Sequence, residues 1–402
     1  MDRLHTAIRP YAWGSRTALA EMQGRPVPTP GPEAELWAGA HPGAPSAVLR
    51  DGRKVRLDHV LAADPARELG PDVVAEYGAC LPFLLKILAV DAPISLQAHP
   101  DAAQARAGFA AEEAAGIPRD APNRNFKDAS AKPELVCAVT PFEALCGFRS
   151  LPQTLRLLDT LSADWGVGPL TAYADPLRTG GTAALRAVVG SLLQLEGAVR
   201  HRLVDAVGEG CAAAAEKYPE SADARTYARV ADLAERHPGD TGVVVALLLN
   251  HIWLEPGEAV FVPAGSLHAY LAGVGVEVLA NSDNVLRGGL TPKHIDREAL
   301  LEVLRYDTGP VFPVRPVSGG EGARRWQTPA REFTLTELAV DGRVVLETGR
   351  PQIVLCVDGH VDVCGTGPVV DLSGGGAAFV SASDPAVTLT GRALVYVAAP
   401  GI

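Results

Sequence analysis

The stretch Leu254–Gly273, LEPGEAVFVPAGSLHAYLAG, decides how the rest of the chain is read. Its pattern is Gly257, five residues, Pro263, one residue, Gly265, two residues, His268. That spacing predicts a strand, a tight Pro-Gly turn and a second strand whose first side chain, His268, points inward. A second informative stretch lies upstream, Ile94–Asp101, ISLQAHPD, where Gln97 and His99 stand two apart in a strand-like run that Pro100 stops. Side chains two apart on a strand face the same way.

The Gly257–His268 spacing resembles the second signature motif of the cupin superfamily, with Ala272 where that motif usually carries Asn. The first signature usually reads His-x-His with a later Glu, and Gln97-x-His99 followed by Glu134 resembles it. On this reading Gln97, His99, Glu134 and His268 point into one barrel and share an ion. Two imidazoles, a carboxylate and an amide oxygen make a mixed N/O set that suits zinc, with a position open to water or substrate. The amide in place of a third imidazole weighs against a redox iron site, although ligand type alone does not distinguish iron.

Working outward, short apolar runs bounded by Pro and Gly begin near Leu81: LPFLLKILAV, then ISLQAHPD, then KPELVCAVTPFEALCGF, all of strand length. Between them DAAQARAGFAAEEAAG, rich in Ala and Glu, reads as an exposed helix. At Ser150 the text turns helical, with Ser150 as N-cap, Pro152 in the first turn and Leu151, Leu155 and Leu158 at helical spacing. Helical text continues to about Asn250, broken by a Gly- and Pro-containing loop over Trp165 to Gly181. Strands return after Trp253. From Phe333 the tail alternates in FTLTELAV, IVLCVDGHVDVCG and AAFVSAS, with Asp358-Gly359 as a hairpin turn, and forms a small sandwich or barrel of its own. SGGEG and LSGGGA read as turns, since neither leads from a strand into a helix as a phosphate cradle must.

The fold class expected is therefore mainly β with a helical insert: a cupin (jelly-roll) barrel domain over residues 1–149 plus 251–320, an α-helical domain over 150–250, and a C-terminal β-sandwich or cupin-like domain over 321–402. A length of 402 residues accommodates these three. The net charge of -11 disfavours nucleic acid as a partner, so any anion must be bound by a few local cations. Six cysteines without a C-x-x-C pair read as reduced structural core thiols. The N-terminal residues lack a signal-like apolar core, and the longest apolar run, Val243–Leu249, is too short to span a bilayer, which predicts a cytoplasmic protein without a membrane partner. His5, His59, His201, His237, His251, His294 and His360 read as surface or satisfied core residues.

YAWGS (Tyr11–Ser15), ELWAGAHPGAPS (Glu35–Ser46), LPFLLKIL, SLQAHPD, KPELVCAVTPFEALCGFR (Lys132–Arg149) and GVEVLANSDNVLRGGLTPKHID (Gly275–Asp296) together resemble the type I mannose-6-phosphate isomerase family across essentially the whole chain. The resemblance implies a zinc-dependent aldose-ketose isomerase that interconverts mannose 6-phosphate and fructose 6-phosphate on a cupin barrel. It implies Gln97, His99, Glu134 and His268 as zinc ligands, Arg287 as the active-site arginine, and Lys132 and Glu277 as pocket residues competing for the role of base. It places Lys86 and Lys293 nearby, where with backbone amides near Ser95 they are candidates for the phosphate, while Trp13 and Trp37 are candidates to wall the pocket. A monomer is expected. One departure stands out: before Lys132 the family usually carries Asn-His, and this chain has Ser130-Ala131. That keeps open an isomerase of another sugar phosphate or a non-catalytic sugar-phosphate-binding cupin, beside a metal-dependent cupin dioxygenase.

Overall fold

A computed structural model describes residues 1–50, 52–320 and 322–402. Mainly β structure with a helical insert is observed. A ten-stranded sheet runs in the order Leu249–Leu254, Phe142–Phe148, His268–Ala280, Phe83–Val90, Glu35–Ala38, Ala7–Arg9. The 13-residue strand His268–Ala280 organises it. Its first residues pair with Phe142–Phe148 and Leu96–Ala98, and its later ones with Phe83–Val90 and Glu134–Ala138. A register shift between Tyr270 and Ala272, followed by Gly273 at φ 112°, lets the strand turn from one set of partners to the other.

Alternation sorts the side chains of these strands. Leu96, Ala98, Ala269, Leu271 and Leu286 are buried outward in one cluster with Leu157, Leu161, Val189, Val204 and Leu233 of the insert. Gln97, His268 and Arg287, which lie between them in sequence, are left for the opposite face. Farther along, Leu36, Leu85, Ile87, Leu135, Val276 and Val278 pack against Trp326, Phe333, Ile353, Leu355, Phe379 and Tyr396 of the tail. The insert thus covers one side of the site-bearing strands and the tail covers another. Each fully buried large apolar side chain contributes about 1.5–3 kcal/mol, so both covers hold the strands rigidly.

The insert comprises the helices Leu151–Asp164, Thr171–Leu193, Gly197–Lys217, Ala224–Arg236 and Gly242–Ala246. Ser150 does precede the first, with Pro152 in its first turn, but its hydroxyl donates to Gln153 and makes no cap bond. The loop expected over Trp165 to Gly181 is shorter: helix resumes at Thr171 and tolerates Pro176, and the break falls at Gly181, φ 57°. The helical stretch also ends sooner than expected, because Leu249–Leu254 is a strand paired with Phe142–Phe148. The exposed Ala-rich helix spans Ala102–Ala114, capped by Asp101 and Gln104.

In the tail, Gln352–Cys364, Thr388–Ala399 and Thr334–Val345 are long neighbouring strands of an eight-stranded sheet. Asp358-Gly359 is not a hairpin turn: the strand runs on through a bulge against Thr388–Ala399. Gly359 sits at φ 79°, where a Cβ would lie 2.3 Å from the Arg392 carbonyl oxygen, so the dipeptide marks a close approach. Nor does the tail build its sheet alone, since Asp2–Leu4 pairs with Ala377–Val380. LSGGGA turns as expected between Val370–Ser373 and Ala377–Val380; SGGEG includes Glu321, which lies outside the described residues. All six cysteines are free, but Cys80 is exposed and is not a core thiol. Among the described residues no helix is long and apolar enough to cross a membrane.

Candidate metal centre and cavity

The strand pairing brings the expected side chains together. Gln97 lies opposite His268 on one side and opposite Arg287 of Leu286–Gly289 on the other, so three neighbouring strands present His268, Gln97 and Arg287 in a row. Glu134 opens the strand that pairs with the far half of His268–Ala280. His99 follows its strand directly, and its carbonyl accepts the Gly265 N–H of the Pro263–Gly265 turn at 2.7 Å. The two stretches that defined the reading are therefore bonded to each other.

His99, Glu134 and His268 are all buried, and their ligand atoms lie within 4.8 Å of one another. The His99 Nδ1–H donates to the Asn284 carbonyl at 2.7 Å, and the His268 Nδ1–H to the Ser266 carbonyl at 3.0 Å. Each ring thereby turns an Nε2 lone pair inward. These Nε2 atoms stand 3.2 and 3.3 Å from Glu134 carboxylate oxygens, and both are buried without a hydrogen-bond donor. Two lone pairs facing a carboxylate repel unless a cation lies among them, so the donor set fits a divalent metal. Burial pushes His99 down to about 4, which keeps it in the neutral form a metal requires. Burial alone would raise the Glu134 carboxyl, yet Lys132 and the two imidazoles hold it well below the usual range. Cys146, opposite His268, is no competitor as a ligand, since burial raises its thiol to about 12.

Above the triad opens a cavity of about 840 Å³. Gln97, Lys132, Arg287, Lys293, Ser95, Trp13, Trp37 and Lys86 all line it, while Glu277 does not. Lys132 Nζ is 3.1 Å from Glu134 and so joins the cavity to the buried triad. Lys86 corrects an expectation: it is no free cation for a phosphate, because its ammonium is shared between Glu277 at 3.2 Å and Glu35 at 3.4 Å. Burial would lower it, but those two carboxylates raise it. Glu277 sits behind this lysine, and burial raises its carboxyl. In contrast Arg287, Lys293 and Lys127 line the same cavity with no carboxylate in ion-pair reach among the described residues.

Four residues that matter here escaped the sequence reading. His41 is buried against Trp37 and lines the cavity; its Nδ1 accepts the Gly43 N–H at 3.1 Å, which turns Nε2–H toward Asp283 at 3.5 Å. The WAGAHPG block contains it, and a His-Pro pair like that of QAHPD was the available signal. Asn284 is fully buried and ties His99 to the 127–130 segment through Lys127 N–H, Asp128 and Ser130. Lys127 is a cavity cation, and His237, expected to be a bystander, lines the cavity from the insert.

The chain is similar to known proteins throughout. Residues 1–151 match the family model of the phosphomannose isomerase type I catalytic domain. The mannose-6-phosphate isomerase of Escherichia coli (strain K12) is 40% identical over 323 residues, covering 80% of this chain and 79% of that one. That of Bos taurus is 31% identical, covering 85% and 82%. A zinc-bound mannose 6-phosphate isomerase superposes with TM-score 0.90 at 33% identity, over 100% of this chain and 99% of the other. The Salmonella typhimurium enzyme bound to fructose 6-phosphate and zinc gives TM-score 0.90 at 33% identity over 100% of both chains.

Proposed function

Because the chain belongs to the type I mannose-6-phosphate isomerases, we propose that its cavity interconverts mannose 6-phosphate and fructose 6-phosphate through a cis-enediol. The enzyme is a zinc-dependent aldose-ketose isomerase. One observation carries the reading: two buried, orphaned imidazole nitrogens converge on one carboxylate beneath a large cavity where Arg287, Lys293 and Lys127 have no carboxylate partner among the described residues, in a chain of net charge -11. The strand arrangement supports a cupin barrel as the catalytic domain, over 1–149 plus 251–320 with Leu249 and Asn250 joining its sheet from the helical domain over 150–250, and a cupin-like domain over 321–402 whose sheet Asp2–Leu4 extends. We take the chain to act as a monomer.

His99, Glu134 and His268, with Gln97 as fourth donor, would hold the ion. When bound, zinc supplies a fixed positive charge that orients and polarises the substrate's oxygens. The chain's own residues account for the rest. Arg287, the permanently charged neighbour of Gln97, stabilises the charge that develops on the enediol oxygens. Lys132 reaches the cavity and moves the protons, whereas Glu277 is screened from it by Lys86. As an ammonium Lys132 gives a proton to O1 and takes one from C2, forming the enediol. It then gives a proton to C1 and takes the hydroxyl proton of O2, leaving the ketose and regenerating the ammonium. No atom is gained or lost, and the methyl of Ala131 has no part in the sequence. Arg287, Lys293 and Lys127 supply the cations an anionic sugar needs, and Ser95, Trp13 and Trp37 shape the wall.

The test is a coupled assay of the purified chain, turning mannose 6-phosphate into fructose 6-phosphate with and without chelator, combined with metal analysis. Zinc near one equivalent and chelator-sensitive turnover are expected. Turnover that persists after complete metal removal would overturn the metal's role, and absence of turnover in the zinc-loaded chain would overturn the substrate.

A further inference from the structure

Leu290 is the one non-glycine residue with a left-handed backbone among the described residues, at φ 55°, and it follows Gly289 at φ 140°. It lies in the short turn that connects Arg287 to Lys293, two of the unpaired cavity cations. Leu290 is buried in the apolar cluster of the helical insert and lines the cavity as well. A leucine does not adopt this conformation unless its surroundings impose it.

The insert does so through one carboxylate. In the loop after the helix Ala224–Arg236, Asp240 Oδ1 accepts the Gly242 N–H at 2.7 Å and Oδ2 accepts the Thr291 N–H at 3.2 Å. The two backbones touch at this point: a Cβ on Gly289 would lie 2.6 Å from the Gly242 Cα, and one on Gly242 would lie 2.9 Å from the Gly289 Cα and the Leu290 nitrogen. No side chain fits between them. The end of that helix and the loop after it bring Arg236 and His237 to the cavity beside Thr291, Pro292 and Lys293.

We propose that Asp240 is a positioning residue for the anionic end of the substrate: by clamping the strained Gly289–Thr291 turn onto the insert it sets the aim of Lys293. The helical insert is on this account a working wall of the site, which takes a phosphorylated sugar by its phosphate. The inference rests on the proposed isomerase reading for its substrate, and its central measurement does not require turnover.

Asp240→Ala removes the clamp, and Asp240→Asn retains one acceptor oxygen. Calorimetric binding of inorganic phosphate to the zinc-loaded chain is compared with KM and kcat for mannose 6-phosphate. Because charge-assisted hydrogen bonds weaken steeply when their donors are misaimed, Asp240→Ala should raise the phosphate Kd and the sugar KM together, each by about tenfold, with Asp240→Asn between it and the parent. Zinc content and kcat should change by less than about twofold. A loss of structural integrity alone would lower kcat and leave both affinities of the folded fraction unmoved, and that result overturns the proposal, as does a phosphate Kd unchanged in both variants. Should Asp240→Ala fail to fold, Asp240→Asn carries the comparison. If the parent binds phosphate in an Asp240-dependent way yet turns over no sugar phosphate, the isomerase reading falls and this one stands.

Discussion

Among the described residues two clusters of histidine and carboxylate bring their ligand-type atoms within 4.8 Å of one another, and they differ in burial and in how their rings are held. His99, Glu134 and His268 are buried, whereas His360, Asp362 and Asp371 lie on the tail sheet with His360 and Asp371 exposed. In the first, backbone carbonyls fix both Nδ1 atoms and leave the Nε2 lone pairs without donors. In the second, His360 Nε2 is 3.0 Å from Asp371, an ordinary surface contact that water screens. Closeness of ligand-type atoms is common on acidic surfaces. What distinguishes a metal centre is that its donors are desolvated, pre-oriented and left unsatisfied by the protein itself.

The largest expected effect tests this contrast directly. His99→Ala or His268→Ala should lose bound zinc and isomerase activity together, read by metal analysis and the coupled assay; full activity in metal-free His268→Ala would erase the distinction. Arg287→Ala should lower kcat by about a hundredfold while zinc content remains at one equivalent, as expected for loss of a preorganised charge at the developing oxyanion. An unchanged kcat would make the arginine structural.

A smaller effect concerns acid. His99 titrates at about 4 when folded and near 6.5 when unfolded, so the unfolded chain binds the extra proton first as pH falls. The stabilisation is therefore complete above pH 6.5 and lost progressively toward pH 4, up to about 3 kcal/mol for this ring. Glu134, held low in the folded state, adds a loss below its ordinary range. Thermal unfolding of the chelated chain should show the midpoint falling across that window, and zinc should displace the fall to lower pH. A flat midpoint from pH 6.5 to 4 would contradict a neutral buried His99. The smallest effect sits on the other cluster: His360→Ala should leave zinc content and activity unchanged and stability within about 0.5 kcal/mol. Any loss of zinc there would place a second ion on the tail.

Much of the centre was legible because its constraints are local. Gln97 and His99 declare a shared face by their spacing, and Pro263 and Gly265 declare the turn that delivers His268. What stayed hidden depends on partners far apart in sequence. Lys86 reads as an available cation until Glu35 and Glu277 pair with it across two neighbouring strands. His41 reads as one histidine among ten until Asp283 faces it. Asp358-Gly359 carries the composition of a hairpin turn, and only the long strand Thr388–Ala399 beside it makes it a bulge. Helix after Trp165 was masked by Gly and Pro whose cost the surrounding apolar cluster absorbs.

The pairing of Asp2–Leu4 with Ala377–Val380 has a bearing on how the molecule is made. Asp2–Leu4 is synthesised well before Ala377–Val380 and finds this mate only when the residues between them have followed it. Until then Ala7–Arg9 can dock on Glu35–Ala38 while its N-terminal neighbour waits as a bare edge. Assembly of the tail sheet is thus the event that ties Asp2–Leu4 to strands synthesised long after it.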